Sequence, residues 1–314
     1  MKPVNINQAQ AFLEAHLAAP PEALALIGAG AWSRCFGYRV GDEAFVIRFG
    51  AHVEDFRKDQ LAARYAADAL PIPAVFEVGE ALGGYFAISR RAYGESLETI
   101  DRETWRAVVP SLVAALEAMR TADIGAMPGF GGWDEKGVAS FPTWKRHLLA
   151  VAEDAPELRI HGWRRKLEAG SPAGSAAFAW GLEQLQRVAS DAAPRSLLHC
   201  DLMNRNVLVE GGRISAVFDW GCARYGDHLY DLAWFEFWAP WHPQLDAPLL
   251  RAALEDRWRQ VGYTPQAMQE RLIACYLHIG LDHLAYNAHL GDWEMLMAVA
   301  ARMEALVRDA KCRK

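Results

Sequence analysis

The stretch from His199 to Trp220, HCDLMNRNVLVEGGRISAVFDW, decides how the rest of the chain is read. Asn206 to Val209 reads as one strand and Ile214 to Phe218 as the strand that returns beside it. Between them, Gly211-Gly212 provides a tight turn, because two-residue hairpin turns need the positive φ that glycine adopts without strain. If Val209 pairs near Ile214, antiparallel register carries Asp219 back beside Asn206. Two polar side chains distant in sequence then meet at one end of a rigid ribbon.

Written as H-x-D-x-x-x-x-N, then a hairpin, then an aspartate, the segment has the spacing used to move the γ-phosphoryl group of a nucleotide. Asp201 can orient a substrate hydroxyl and accept its proton, while Asn206 and Asp219 supply hard oxygen ligands for Mg2+. An isolated H-x-D is common, and an aspartate after a strand is often only a turn or cap residue. His199, Asp201, Asn206 and Asp219 together, with a hairpin between them, are hard to obtain by chance. His199 reads as a brace of the loop rather than a catalytic group.

The bulk properties narrow the class. With 314 residues the chain has room for two lobes around a cleft. Hydrophobic residues at 52% and charged residues at 23% exclude a disordered chain. A net charge of −6 without any Lys/Arg-rich run argues against nucleic-acid binding. The cysteines Cys35, Cys200, Cys222, Cys275 and Cys312 are scattered and form no C-x-x-C pair, which fits reduced thiols and offers no metal framework. Met1-Lys2-Pro3 leads into a polar helix start without an apolar signal core, and no apolar run approaches the ~20 residues that span a bilayer. A soluble, cytoplasmic protein, acting as a monomer, is expected.

Along the chain, Ile6 to Ala18 reads as a helix. Leu24–Ile27, Cys35–Val40, Ala44–Phe49, Ala74–Gly79 and Tyr85–Ser89 are strand candidates, with Val53 to Ala69 helical among them until Pro71 and Pro73. Beyond Tyr93-Gly94 the texture is helical: Arg102–Thr121, Pro142–Val151, Ala173–Ala189, Asp227–Trp238, Leu249–Val261, Ala267–His289 and Trp293–Arg308, with a glycine-rich loop from Gly125 to Gly137. The shift near residue 92 predicts an α+β chain with a small antiparallel sheet lobe (1–92) that binds nucleotide and a larger, mainly helical lobe (93–314) that carries catalysis and substrate.

On the nucleotide side, Ile27-Gly28-Ala29-Gly30-Ala31-Trp32-Ser33 lies between the first two strands. Gly28, Gly30 and Ser33 allow the backbone to close over phosphates with N–H donors and a hydroxyl, although Gly-x-Gly also occurs in ordinary turns. No Gly-Lys-Ser or Gly-Lys-Thr follows, so this is not a Walker loop. Alternation points Val46 and Arg48 of the third strand to one face, toward the nucleotide, where Arg48 can hold phosphate as a bidentate fork. A carboxylate partner for Arg48 is available on the Val53–Ala69 helix in Glu54, Asp55 or Asp59. Ser89, Arg90 and Ala92 lie where the lobes join, and their backbone groups are placed by topology to meet an adenine edge.

Taken together, these residues resemble the aminoglycoside phosphotransferase family, and within it the hygromycin B group. The resemblance runs nearly the full length through ALPIPAVFEVGE, ISRRAYGESL, GFGGWDEKGVASFPTWKRHL, HCDLMNRNVLVEGGRISAVFDW, FWAPW and IGLDHLAYN. HCDLMNRN and FDW are specific to the wider kinase superfamily, and the Gly-rich loop and FWAPW to the narrower group. The resemblance implies a bilobal protein-kinase-like fold, ATP (or GTP) with Mg2+, and transfer to a hydroxyl of an aminoglycoside. It carries Asp201 over as the base and Asn206 and Asp219 as metal ligands. The group also carries arginine at the position of Arg48, and asparagine where this chain has Arg205.

The acceptor side is read from the helical lobe. Trp238 and Trp241 can stack on sugar rings or meet a protonated amine, against a core-packing reading at even weight. Glu236 and Asp282 are carboxylates able to meet ammonium groups, and Asp201 and Arg205 line the acceptor from the loop. Asp227 and Asp231 read as structural, with Asp227 at a helix N-terminus. A kinase of another small alcohol (a macrolide, choline or a homoserine-like metabolite) uses the same machinery, and a nucleotide-binding pseudokinase is the non-enzyme alternative. A protein kinase is disfavoured because only a short segment separates Asp219 from the helix at Asp227.

Overall fold

Helix α1 (Ile6–His16) starts in a capping box, in which Asn5 and Gln8 each accept the other's backbone N–H through their side chains at 3.0 Å. The computed structural model describes residues 3–30 and 33–312. Strands β1 (Glu22–Ala29), β2 (Ser33–Val40) and β3 (Glu43–Gly50) follow as an antiparallel meander. Helix α2 (Val53–Ala62) then leads to the hairpin of β4 (Val75–Ala81) and β5 (Gly84–Arg90). β5 returns to pair with β3, so the sheet order is β1-β2-β3-β5-β4.

Alternation divides this sheet chemically. Ile47 and Phe49 of β3 join Phe36, Tyr38, Phe86 and Ile88 in a buried cluster with Ala9 and Leu13 of α1. Val46 and Arg48 therefore take the other face, as the sequence pattern predicts. That face meets α2 through Arg48 itself, whose guanidinium bonds to Asp59.

Strand β6 (Glu95–Ser96) precedes α3 (Arg102–Thr121), which keeps its full expected length despite an internal Pro110. Next come β7 (Phe130–Trp133), β8 (Ala139–Phe141), α4 (Trp144–Leu149), α5 (Trp163–Gly170) and α6 (Pro172–Val188). Strand β9 (Ser196–Leu198) enters the catalytic segment, whose hairpin is β10 (Val207–Glu210) and β11 (Arg213–Val217). Strand β12 (Arg224–Gly226) and helices α7 (Leu229–Trp238), α8 (Ala247–Gln260), α9 (Met268–Leu290) and α10 (Trp293–Cys312) complete the described chain.

The chain divides into two compact units. The first comprises Met1–Ala118, Trp133–Val138 and Asp201–Cys222, and holds the five-stranded sheet and the β11-β10-β6 sheet. The second comprises Met119–Gly132, Ala139–Cys200 and Ala223–Lys314. In it α9 is packed by α5, α6, α7 and α10, and a small sheet runs β8-β7-β12-β9.

Three differences from the sequence reading have physical causes. α2 stops at Ala62 rather than Ala69, because the chain must turn to bury Leu70 and Ile72, and an Ala67–Leu70 bridge closes that turn. Alanine's helix propensity is a weak prior and tertiary burial overrides it. The glycine-rich loop contains β7, which pairs with β12 through Gly131 and Gly132. Helix α5, not anticipated, buries Trp163 and Leu167 on an otherwise charged segment.

Candidate active site

The hairpin forms in the expected register, with Val209 opposite Ile214 and Val207 opposite Val217. Gly211 and Gly212 have φ of +57° and +73°, the left-handed pair that such a turn requires. Beyond the ladder, Phe218 N–H donates to Asn206 O at 3.0 Å, which brings the Asp219 end of the ribbon to Asn206. A bulge between Leu208 and Val209 leaves Ser215 outside the pairing, and its hydroxyl donates to Tyr93 O at 2.6 Å. This seats the 93–94 segment on the ribbon. Gly94 has φ +142°, and a Cβ there would lie 2.7 Å from Val209 O and 2.8 Å from Ser215 Oγ, so only glycine fits the crossing.

Left-handed residues flank the hairpin on both sides. Cys200, Asn204, Arg205 and Asp219 have φ between +62° and +64°. Non-glycine residues hold this conformation only where their surroundings over-determine it. Here Asp231 of α7 accepts the N–H of Cys200 at 2.7 Å and of His199 at 3.0 Å. That satisfies the structural reading of Asp231, and His199 is fully buried as a brace would be.

Asp201 is gripped from both sides. Asn204 Nδ2 donates to its Oδ1, and Asn206 Nδ2 donates to its Oδ2 at 3.1 Å and to its backbone O at 2.8 Å. Burial pushes the Asp201 carboxyl up to about 8, opposed by the Asn204 and Asn206 bonds and assisted by the charges of Asp219 and Glu98. A carboxylate of that basicity suits proton acceptance near neutral pH. Because Asn206 spends its NH2 group on Asp201, its Oδ1 is the oxygen left for a metal. Asp219 is also raised, by desolvation first and then by the charge of Asp59, with Arg48 acting in the opposite direction.

Asn206 and Asp219 fit magnesium as a donor set. Both offer hard oxygens, and Asp219 stands among the carboxylates Asp59 and Asp55, whose mutual repulsion a cation relieves. Among the described residues no cluster of three or more His, Cys, Asp or Glu forms a protein-only metal cage. Magnesium held by one or two side chains plus substrate phosphates needs none.

Of the three carboxylates open to Arg48, the structure selects Asp59. Its Oδ2 accepts Arg48 Nη2, and its Oδ1 accepts the N–H of Trp220 at 2.6 Å. Burial works against the Arg48 cation, but the charges of Asp59, Cys35 and Asp219 and the hydrogen bond to Asp59 together outweigh it and raise the arginine pKa. Lys58, one residue earlier, donates to Gly221 O at 2.9 Å. Thus α2 holds the β3 arginine and the backbone just after Asp219 at once. Cys35 lies opposite Arg48 in the β2–β3 ladder, under Gly28, and burial raises its thiol pKa while Arg48 lowers it.

In the glycine loop Gly30 N–H donates to Ser33 O at 2.9 Å; Ala31 and Trp32 lie outside the described residues. Ser89 is inside the sheet, opposite Val46 and Val75. Arg90 donates its N–H to Ala74 O and its guanidinium to Glu43. Arg91 N–H goes to Ala44 O, and Ala92 begins the irregular segment after β5.

Gly28, Gly30, Ser33, Arg48, Ser89, Arg90, Ala92, Asp201, Arg205, Asn206 and Asp219 all fall in the first unit. Glu236, Trp238, Trp241 and Asp282 fall in the second. Trp238 is half-buried, with Trp241 at 5.2 Å and His283 at 4.7 Å between ring centroids, and its Nε1 has no hydrogen-bond partner. Asp282 is 40% exposed, 3.7 Å from Arg224. Glu236 corrects the reading: Arg251 takes both of its oxygens and Tyr276 OH adds a third bond. Its carboxylate is committed to a buried ion pair and is not free for an ammonium group. The sequence reading also assigns no role to Asn204, on the Asp201 loop, or to Glu98, which reaches that loop from the segment between β6 and α3. Asn204 carried a signal, since asparagine tolerates the left-handed region; Glu98 carried none.

The family model of the phosphotransferase enzyme family (APH) matches residues 27–269. The chain belongs to this family. Among the curated relatives of this phosphotransferase is hygromycin-B 4-O-kinase from Escherichia coli, 32% identical over 282 residues, covering 89% of this chain and 79% of the relative. Aminoglycoside phosphotransferase APH(4)-Ia superposes with a TM-score of 0.83 at 30% identity, over 97% of this chain and 99% of that one. A thermostable mutant of that enzyme, in ternary complex with AMP-PNP and hygromycin B, matches with a TM-score of 0.82 at 30% identity, over 96% and 98% of the two chains. Spectinomycin phosphotransferase APH(9)-Ia shares the fold, with a TM-score of 0.60 at 12% identity over 98% of each chain. The α+β, protein-kinase-like architecture read from the sequence is the one this phosphotransferase has. No helix among the described residues is long and apolar enough to cross a membrane.

Proposed function

We propose that this phosphotransferase is an ATP-dependent kinase that phosphorylates a hydroxyl of a hygromycin B-like aminoglycoside, conferring resistance to the antibiotic. One observation carries the reading: Asp201 is held by Asn204 and Asn206 at the end of a hairpin ribbon to which Asp219 returns, in a chain similar along most of its length to a hygromycin-B 4-O-kinase. Residues 1–92 serve as the nucleotide-binding lobe and 93–314 as the catalytic and acceptor lobe.

In this mechanism Asp201 accepts the proton of the acceptor hydroxyl and aims its oxygen in line with the γ-phosphorus. Arg48, oriented by Asp59, binds phosphate oxygens, and N–H groups of the Gly28–Ser33 loop close over them. Asn206 Oδ1 and Asp219 would hold magnesium, which when bound would supply positive charge against the nucleotide phosphates. Arg205, Trp238, Trp241 and Asp282 contact the acceptor, with the aromatic faces against the sugars and Asp282 against an ammonium group. The protein acts as a cytoplasmic monomer, in keeping with five scattered cysteines that form no C-x-x-C pair. The test is nucleotide consumption with Mg-ATP or Mg-GTP across hygromycin B, apramycin and other aminoglycosides, with NMR to locate the phosphate. Acceptor-dependent consumption with hygromycin B is expected; none with any acceptor refutes the reading.

A further inference from the structure

Glu98, in the segment between β6 and α3, reaches the catalytic loop from outside the motif. Its Oε1 accepts the backbone N–H of Arg205, and its Oε2 accepts the Ser96 hydroxyl at 3.0 Å. The segment that carries it is itself fixed. Ser96 lies opposite Leu208 in the β6–β10 ladder, Leu97 N–H donates to Val207 O at 3.0 Å, and Thr99 N–H donates to Ser96 O at 2.9 Å. Glu98 is half-buried and carries a carboxylate, so its bond to the Arg205 amide is charge-assisted.

The amide it holds sits at the least relaxed point of the loop. Asn204 and Arg205 are consecutive non-glycine residues at φ +63° and +64°. Such a pair reverts to ordinary backbone unless something outside the loop holds it. The residues on either side of this amide are the two that grip the base: Asn204 bonds Asp201 Oδ1 and Asn206 bonds Oδ2. A rotation at Arg205 therefore displaces both grips together.

We propose that Glu98 is a positioning residue for phosphoryl transfer: by clamping the Arg205 amide it holds Asn204 and Asn206 on the two oxygens of Asp201 and so fixes the direction in which that carboxylate meets the acceptor hydroxyl. This rests on the reading of Asp201 as the base. Misplacement of a reacting group by about 1 Å costs on the order of 100-fold in rate.

Two substitutions separate the clamp from a charge effect. Glu98→Ala removes the acceptor; Glu98→Gln keeps an oxygen for the Arg205 amide and removes the charge. Expected for Glu98→Ala is a loss of about 10- to 100-fold in kcat, with nucleotide affinity unchanged and faster hydrogen exchange at the Arg205 amide. Glu98→Gln should restore both kcat and exchange protection toward wild type. Should Glu98→Ala not fold, Glu98→Met, of similar volume and without an acceptor, takes its place with the same expectation. The clamp is overturned if the acceptor-less variant keeps wild-type kcat, if its Arg205 amide exchanges no faster, or if Glu98→Gln is as slow as Glu98→Ala. It is also overturned if Glu98→Gln only raises the KM of the aminoglycoside, which marks Glu98 as a direct ligand of the cationic acceptor. Exchange at Arg205 reads the clamp without turnover, whereas transfer by the wild-type chain reads the phosphotransferase assignment; the two fail separately.

Discussion

Replacing Asp59 by alanine tests the link between α2, Arg48 and the Asp219 turn. Asp59 and Arg48 side chains are 5% and 13% exposed, so the variant leaves a cation shielded from water without its partner. Breaking such a pair costs about 3–5 kcal/mol, most of it the penalty on the charge left behind. The Trp220 N–H loses its acceptor as well, but the two losses share one side chain and do not add in full. At roughly 2–4 °C per kcal/mol for domains of this size, the melting temperature should fall by on the order of 10 °C. Two companions sharpen the reasoning. Asp59→Asn keeps an oxygen for Trp220 and should recover part of the loss. Arg48→Met combined with Asp59→Ala removes the orphaned cation and should melt above the single Asp59→Ala variant. Thermal unfolding followed by circular dichroism reads all three. An Asp59→Ala protein that melts within about 2 °C of wild type, well inside the stated cost, would show that the pair is not holding the site.

Other parts of the molecule give shorter tests. His147 and His278 are buried, and burial, reinforced by the Arg224 cation, holds both well below the ordinary histidine range. Their unfolded forms take up protons below about pH 6.5 while the folded forms do not, so stability is full above that pH and falls as pH drops through it. One pH unit below, each neutral histidine costs about 1.4 kcal/mol, so by urea denaturation the change in stability from pH 7.5 to pH 5.5 should be about 1.4 kcal/mol less unfavourable in His147→Leu than in the wild-type chain, the raised carboxyls Asp201 and Asp231 contributing equally to both, and the same change in both chains would contradict the burial argument. Both ring nitrogens of His147 lack hydrogen-bond partners, so His147→Leu should flatten that pH dependence. Gly94→Ala places a Cβ against Val209 O and Ser215 Oγ, and should cost about 1–3 kcal/mol in the same assay.

What was legible in the sequence is what is local. The Asn206–Asp219 hairpin rests on a Gly-Gly turn and alternating strands, and its register followed from those alone. Arg48 faced the right side because strand alternation is a rule of geometry. Its partner was not readable: Glu54, Asp55 and Asp59 lie on one short helix, and the choice depends on how α2 rolls against β3. Glu98 reaches Arg205 across more than a hundred positions of sequence (|i−j| 107), so no spacing could announce it. Glu236 was misread for the same reason, since its partner Arg251 sits on the next helix and turns an available carboxylate into a packed ion pair. The alanine-rich end of α2 shows propensity losing to the burial of Leu70 and Ile72.

The central claim is that Asp201 serves as the base for transfer of a nucleotide γ-phosphoryl group to an aminoglycoside hydroxyl. Single-turnover mixing of enzyme, Mg-ATP and hygromycin B, quenched and read by mass spectrometry, measures this step for the wild-type chain and for Asp201→Ala. The account predicts a phosphorylated antibiotic from wild type and a loss of at least about 1,000-fold for Asp201→Ala, the lost general base and the misaimed acceptor both contributing. AMP-PNP affinity should be the same in both. Phospho-antibiotic formed by Asp201→Ala at the wild-type rate would contradict it.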